Sequence, residues 1–143
     1  MSSPDPSPPT VLVVDDEPLI THLLALTLGR AGFVVRTAGN GADALDAYRA
    51  GGIDLVVLDV QMPRPWDGPR TLAALRAVDP DVRAVFVSGS TGAYTHEELL
   101  ARGALRVIAK PFPSLIRLVE DLRGLIPGAE PPVGTDDGAS TSG

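Results

Sequence analysis

The chain has 143 residues, 44% of them apolar, and a formal charge of −6. That length suits one domain of ordinary size, and that composition supplies a core. The absence of cysteine excludes disulfides, thiolate catalysis and Cys-ligated metal centres, and lysine chemistry has a single candidate, Lys110.

Residues 1–9 are rich in Pro and Ser and are expected to be a disordered tail. The run Val11-Leu12-Val13-Val14 predicts a strand buried on both faces, closed by Asp15-Asp16. Pro18 suits a helix's first turn, and a helix is predicted to Arg30 with Ile20, Leu23, Leu24 and Leu28 inward. Phe33–Thr37 reads as a second strand. Asn40 is placed to cap a helix running to about Ala50, with Leu45 and Tyr48 on its inner side. Ile53–Asp59 is a third strand, followed by a proline-rich loop, Met62–Pro69, and a helix that stops before Asp79-Pro80. Val82–Val87 is a fourth strand, Thr95–Arg102 a short helix, and Arg106–Ala109 a fifth strand. The last helix, Ser114–Ile126, carries the apolar stripe Leu115, Leu118, Val119, Leu122, Leu125 and Ile126. Residues 127–143 are expected to be a second disordered segment, a free end or a linker.

Five alternations of strand and helix over residues 10–126 predict an α/β fold. It should be a parallel five-stranded sheet with helices on both faces. In such a sheet ligands sit beyond the carboxyl ends of the strands. Those ends carry Asp15-Asp16, Asp59, Ser88 and Lys110. With strand order 2-1-3-4-5, Asp15, Asp16 and Asp59 share one pocket. Two like charges about 4 Å apart repel by about 4 kcal/mol at an effective dielectric near 20. A hard divalent cation such as Mg²⁺ offsets that repulsion, and Lys110 adds a further positive charge. Taken singly, each residue has a bland reading as a helix-opening acid, a turn residue or a loop serine. Their coincidence at one edge is what the bland readings leave unexplained.

Charge excludes other classes. The end segments hold four acids and no base, so residues 10–126 carry about −2 and no basic excess for nucleic acid. No run approaches the ~18 apolar residues of a membrane span, and the first residues lack a signal-peptide pattern, so a cytoplasmic location is expected. His22 and His96 have no metal-ligand spacing.

With these residues in place, the chain resembles the receiver domain of two-component response regulators, a flavodoxin-like fold. The motifs are Val-Val-Asp15-Asp16-Glu17, Asp59-Val-Gln61-Met62-Pro63 with Asp67-Gly68, Val87-Ser88-Gly89, Gly103-Ala104 and Lys110-Pro111-Phe112. The resemblance implies that Asp59 is the phosphoacceptor, charged from a phosphohistidine. It implies that Asp16 binds Mg²⁺ directly, Asp15 through water, and Asp59 and the Gln61 carbonyl as further ligands. Lys110 would pair with the phosphoryl group, Ser88 would bond it, and N–H groups near Val60 and Gly89 would complete the cradle. The Lys110-Pro111 bond would be cis. The implied partners are a sensor histidine kinase or a histidine phosphotransfer protein, and a downstream protein.

Three features depart from the family pattern. The Met62–Gly68 loop is one residue longer, with Trp66 expected near the active edge and covering apolar surface. Val107 stands where an aromatic is frequent, which moves the readout to loops and the fourth helix. Leu105-Arg106 replaces an acidic pair common in dimerising members, so a monomer or weak dimer is expected. Two other classes are testable. An aspartate-nucleophile phosphatase needs an acid two residues after Asp59, but Gln61 is an amide and cannot act as a general acid. A pseudo-receiver would lack part of the acidic triad or the lysine, and neither is lost.

Overall fold

The computed structural model describes residues 8–62, 66–89 and 94–128. The remainder of the two end segments expected to be disordered lies outside these residues, as do Pro63 to Pro65 and Ser90. Ten elements alternate in chain order: β1 (Thr10–Val14), α1 (Pro18–Arg30), β2 (Val34–Ala38), α2 (Gly41–Arg49), β3 (Leu55–Asp59), α3 (Gly68–Val78), β4 (Ala84–Ser88), α4 (His96–Ala101), β5 (Arg106–Ala109) and α5 (Leu115–Arg123). The five strands form one parallel sheet in the order β2-β1-β3-β4-β5, as expected.

The β-branched runs become the three inner strands, which are buried on both faces. Period-two alternation sends Leu12, Val14, Leu58 and Phe86 to one core with Leu72, Leu75 and Leu99. It sends Val11, Val13, Val57 and Val85 to the other, with Leu24 and Leu28 of α1 and Leu118 and Leu122 of α5. The helix starts are chemical. Asn40, Asp67, Thr95 and Ser114 each accept a backbone N–H with the side chain, satisfying a donor that the first turn leaves free. Thr95 does so within a reciprocal pair with Glu98. Gly32, at φ 99°, takes the left-handed turn that ends α1.

Several boundaries shift from the sequence reading. The second strand is Val34–Ala38, one residue later than expected, because Pro9 O accepts from Val34 N (2.9 Å) and starts the ladder there. Phe33 is buried just before it. The third strand starts at Leu55 and the fourth at Ala84, and Ser88 closes the latter. The helix α3 begins at Gly68, inside the expected loop, since Asp67 caps it and Pro69 fits its first turn. On α1, Leu24 and Leu28 are buried, but Leu23 is 38% exposed and does not belong to the inner stripe.

Register fixes the site. Val14 stands level with Leu58, so Asp15 and Asp59 leave the sheet side by side. Asp59 is level with Val87 and Ser88 with Ala109, so Ser88 and then Lys110 follow on the next two strands.

Candidate functional site

The carboxyl edge of the sheet opens into a cleft of about 890 Å³, with Asp16, Asp59, Gln61, Gly89 and Lys110 among its walls. Every expected site residue lies on this edge. Asp15, Asp59 and Ser88 are buried, whereas Asp16 and Gln61 are exposed. Carboxylate oxygens of Asp15, Asp16 and Asp59 lie within 4.8 Å of one another. Lys110 Nζ donates to Asp15 Oδ2 at 3.1 Å and lies 3.5 Å from Asp59 Oδ1. The Lys110-Pro111 peptide is cis.

The electrostatics follow from this crowding. Burial, and then the charge of Asp15, push the Asp59 carboxyl up to about 6, against the opposing pull of Lys110 and the Gln61 N–H. Burial alone would lower the Lys110 ammonium, but the carboxylates of Asp15, Asp59 and Glu17 outweigh it and hold the group above its ordinary value. One ammonium thus faces an excess of carboxylate. The donor set is hard oxygen, closely spaced and short of positive charge, which fits a small divalent cation.

Two details sharpen the sequence reading. The Val60 N–H is not free for an anion, because it extends the β3–β4 ladder to Val87 O (3.0 Å). The Gln61 N–H is the one that bonds the Asp59 carboxylate. Trp66 shares this edge but packs on Gly41, the first residue of α2. A Cβ added at Gly41 would lie 2.6 Å from the Trp66 ring. His22 is exposed.

Other participants had only weak sequence signals. Glu17 reaches Lys110 (3.8 Å) and, being 65% exposed, adds little to the pairing. Ile20, Leu23, Phe112 and Leu115 give the cleft an apolar flank. Gly68 abuts the backbone of Asp59 and Val60, and its N–H donates to Val60 O (2.9 Å). Asp67, besides capping α3, accepts from the Tyr94 hydroxyl (2.9 Å). The Asp-Gly pair is legible in the sequence, but its distant neighbours are not.

The family model described as the response regulator receiver domain matches residues 11–123. The chain belongs to the response regulator receiver family. Receivers are the phosphoacceptor module of two-component signalling. Among curated relatives, this receiver is 34% identical over 126 residues to the probable transcriptional regulatory protein TcrX of Mycobacterium tuberculosis, covering 88% of this chain and 53% of that one. The chain spans about half the length of the curated transcriptional regulators TcrX and TrcR. Among solved structures, chemotaxis protein CheY4 of Vibrio cholerae superposes with a TM-score of 0.76 at 28% identity, covering 83% of this chain and 99% of that one. TrrA of Thermotoga maritima, solved in complex with Mg²⁺-BeF, gives a TM-score of 0.73 at 30% identity, covering 82% and 99%. Among the described residues, no helix of this receiver is long and apolar enough to cross a membrane.

Proposed function

We propose that this receiver takes a phosphoryl group on Asp59 from a phosphohistidine of a sensor histidine kinase or histidine phosphotransfer protein. The observation that carries the reading is the position of Asp59. It is a buried carboxylate at a strand end, 3.5 Å from the only lysine and grouped with two other aspartates. A carboxylate oxygen of Asp59 forms the new P–O bond as the P–N bond to the donor imidazole breaks. Asp15, Asp16, Asp59 and the Gln61 carbonyl are the residues that would hold Mg²⁺, which when bound neutralises phosphoryl charge. Lys110 pairs with the phosphoryl oxygens while staying anchored to Asp15, and the buried Ser88 hydroxyl bonds one of them. The backbone N–H groups of Gln61 and Gly89, two residues that line the cleft, would be further donors.

The added charge biases partner binding, so the product is a signal and not a released metabolite. The only chemistry catalysed is the chain's own phosphorylation and dephosphorylation. Gln61 supports this over a phosphatase, since its amide has no proton to give a leaving group. The near-neutral body supports action on protein partners over direct contact with nucleic acid, and Leu105-Arg106 in place of an acidic pair supports a monomer or weak dimer. The test is incubation with acetyl phosphate and Mg²⁺. One phosphoryl group per chain is expected, and none on Asp59→Asn. Sustained phosphate release from many small esters would favour the phosphatase, and no labelling by any donor would favour a pseudo-receiver.

A further inference from the structure

The cleft is far larger than a phosphoryl group. Such a group takes the space of two or three waters at about 30 Å³ each, roughly a tenth of the cleft's volume of about 890 Å³. Much of the remaining wall is apolar and comes from two parts of the chain. Ile20 and Leu23, three positions apart, share one face of α1. Pro111, Phe112 and Leu115 come from the stretch between the end of β5 and the start of α5.

These side chains differ in what else they do. Ile20, Phe112 and Leu115 also pack against the core that α1 and α5 share. Leu23 stays outside both cores and is 38% exposed, yet it lines the same cleft as Asp59 and Lys110. Folding therefore leaves its apolar surface unused at this site. A concave space of this size, apolar on one side with a few converging polar groups, has the build of a small-molecule site.

The polar end narrows the ligand. Transfer to Asp59 is easiest from a leaving group that departs unaided, because the Gln61 amide has no proton to give. A carboxylate departs in that way: an ordinary carboxyl titrates at about 4, so it leaves as the anion at pH 7. A phosphoryl donor with a carboxylate leaving group is an acyl phosphate. Attack is in line, so its acyl group is directed away from the strand end that carries Asp59, toward the open cleft.

We propose that the apolar flank is an acyl subsite with Leu23 as its specificity-determining residue, favouring acyl phosphates with an apolar body, such as a phenyl ring, over acetyl phosphate. This rests on the phosphoacceptor reading and adds a class of small-molecule donor to it. A carboxylate oxygen of Asp59 forms the new P–O bond, the P–O bond to the acyl group breaks, and its electron pair leaves on the released carboxylate. No proton moves. In an enclosed apolar pocket one methylene is worth about 10- to 200-fold in discrimination. An open cleft covers a ring only in part, so the whole preference is about tenfold.

The test labels the full chain with benzoyl phosphate and with acetyl phosphate, both in Mg²⁺, and takes the ratio of the two second-order rate constants. The same ratio is measured for Leu23→Ser and Leu23→Met, so that the intrinsic reactivities of the donors cancel between proteins. The ratio should fall about threefold or more in Leu23→Ser, where one wall turns polar, and hold in Leu23→Met, which keeps an apolar wall. An unchanged ratio in Leu23→Ser overturns the subsite and leaves the flank to a protein partner, with the acceptor reading intact. An equal fall in Leu23→Met also overturns it, because a general disturbance of α1 is then the cause. A wild type labelled by neither donor overturns the acceptor reading and the subsite together.

Discussion

Lys110 Nζ donates to Asp15 Oδ2 at 3.1 Å, so the lysine is anchored to the acid that follows β1 even before a phosphoryl group arrives. The pair joins strands that are not neighbours, since β3 and β4 lie between β1 and β5. Its energetic weight comes from burial: the side chains are 13% and 3% exposed.

That geometry predicts that Lys110→Arg folds but takes up phosphoryl poorly. An ammonium is a compact point charge, whereas the planar guanidinium is larger and presents a fixed fork of donors. Circular dichroism should match the wild type, while the initial rate of acetyl phosphate labelling drops by ~10-fold or more, the scale of one lost charge-stabilising contact. Wild-type labelling would show that any cation suffices there.

Lys110→Ala should destabilise the metal-free chain at pH 7 by about 1–3 kcal/mol, because two buried carboxylates lose their counter-charge. The loss should shrink on acidification toward pH 5, as Asp59 takes up a proton. Urea unfolding at the two pH values measures it, and a pH-independent loss would point to packing instead of charge.

Asp59→Asn should stabilise the metal-free protein at neutral pH. The folded carboxyl titrates near 6, above its ordinary value of 3.8. The folded state thus binds more protons than the unfolded state between these values. Stability from this group is full below about pH 4 and is lost as pH rises through 6. Above pH 6 the charged Asp59 is a net cost of about 3 kcal/mol at most, at 1.36 kcal/mol per pH unit. That cost is already net of the attraction to Lys110, so the expected gain in the variant is at most about 3 kcal/mol at pH 7. The gain should vanish near pH 4. An Asn variant less stable than wild type at pH 7 would contradict the placement.

Magnesium should act in the opposite sense. Adding Mg²⁺ at 100 times its dissociation constant should raise wild-type stability by about 2.7 kcal/mol. Asp59→Asn, with one carboxylate fewer, should gain clearly less at the same concentration. Equal gains in both proteins would separate the cation from Asp59.

Two glycines make a contrasting pair. A Cβ at Gly68 would run into backbone at Asp59 and Val60, which cannot yield, so Gly68→Ala should cost about 1–3 kcal/mol and also slow labelling. At Gly41 the obstacles are the side chains of Trp66 and Thr71, which can shift. Gly41→Ala should therefore destabilise and change Trp66 fluorescence while leaving the labelling rate near wild type.

Much of this was legible in the sequence because it rests on local signals. Apolar β-branched runs of strand length, a 3.6-residue stripe and capping residues act over a few positions, and they yielded the order of elements and the residues at each strand end. Once the sheet is parallel, Asp15, Asp59, Ser88 and Lys110 must share an edge. The exact register did not follow from that pattern. The β2 strand starts a residue late because Pro9 lends its carbonyl to Val34, an acceptor that composition had assigned to a tail. Leu23 belongs to no inner face because helix periodicity alone does not fix how wide the buried stripe is.

The sequence by itself determined which chemical groups this receiver owns and which edge of the sheet they occupy. Tertiary structure alone decided their pairing: Lys110 on Asp15, Gln61 rather than Val60 offering its N–H, Gly68 against the acceptor backbone, and Tyr94 on Asp67. Two of these contacts, Lys110 on Asp15 and Tyr94 on Asp67, join segments far apart in the chain, where no local propensity acts. Only the packing of the sheet and its loops brings such groups within hydrogen-bonding distance.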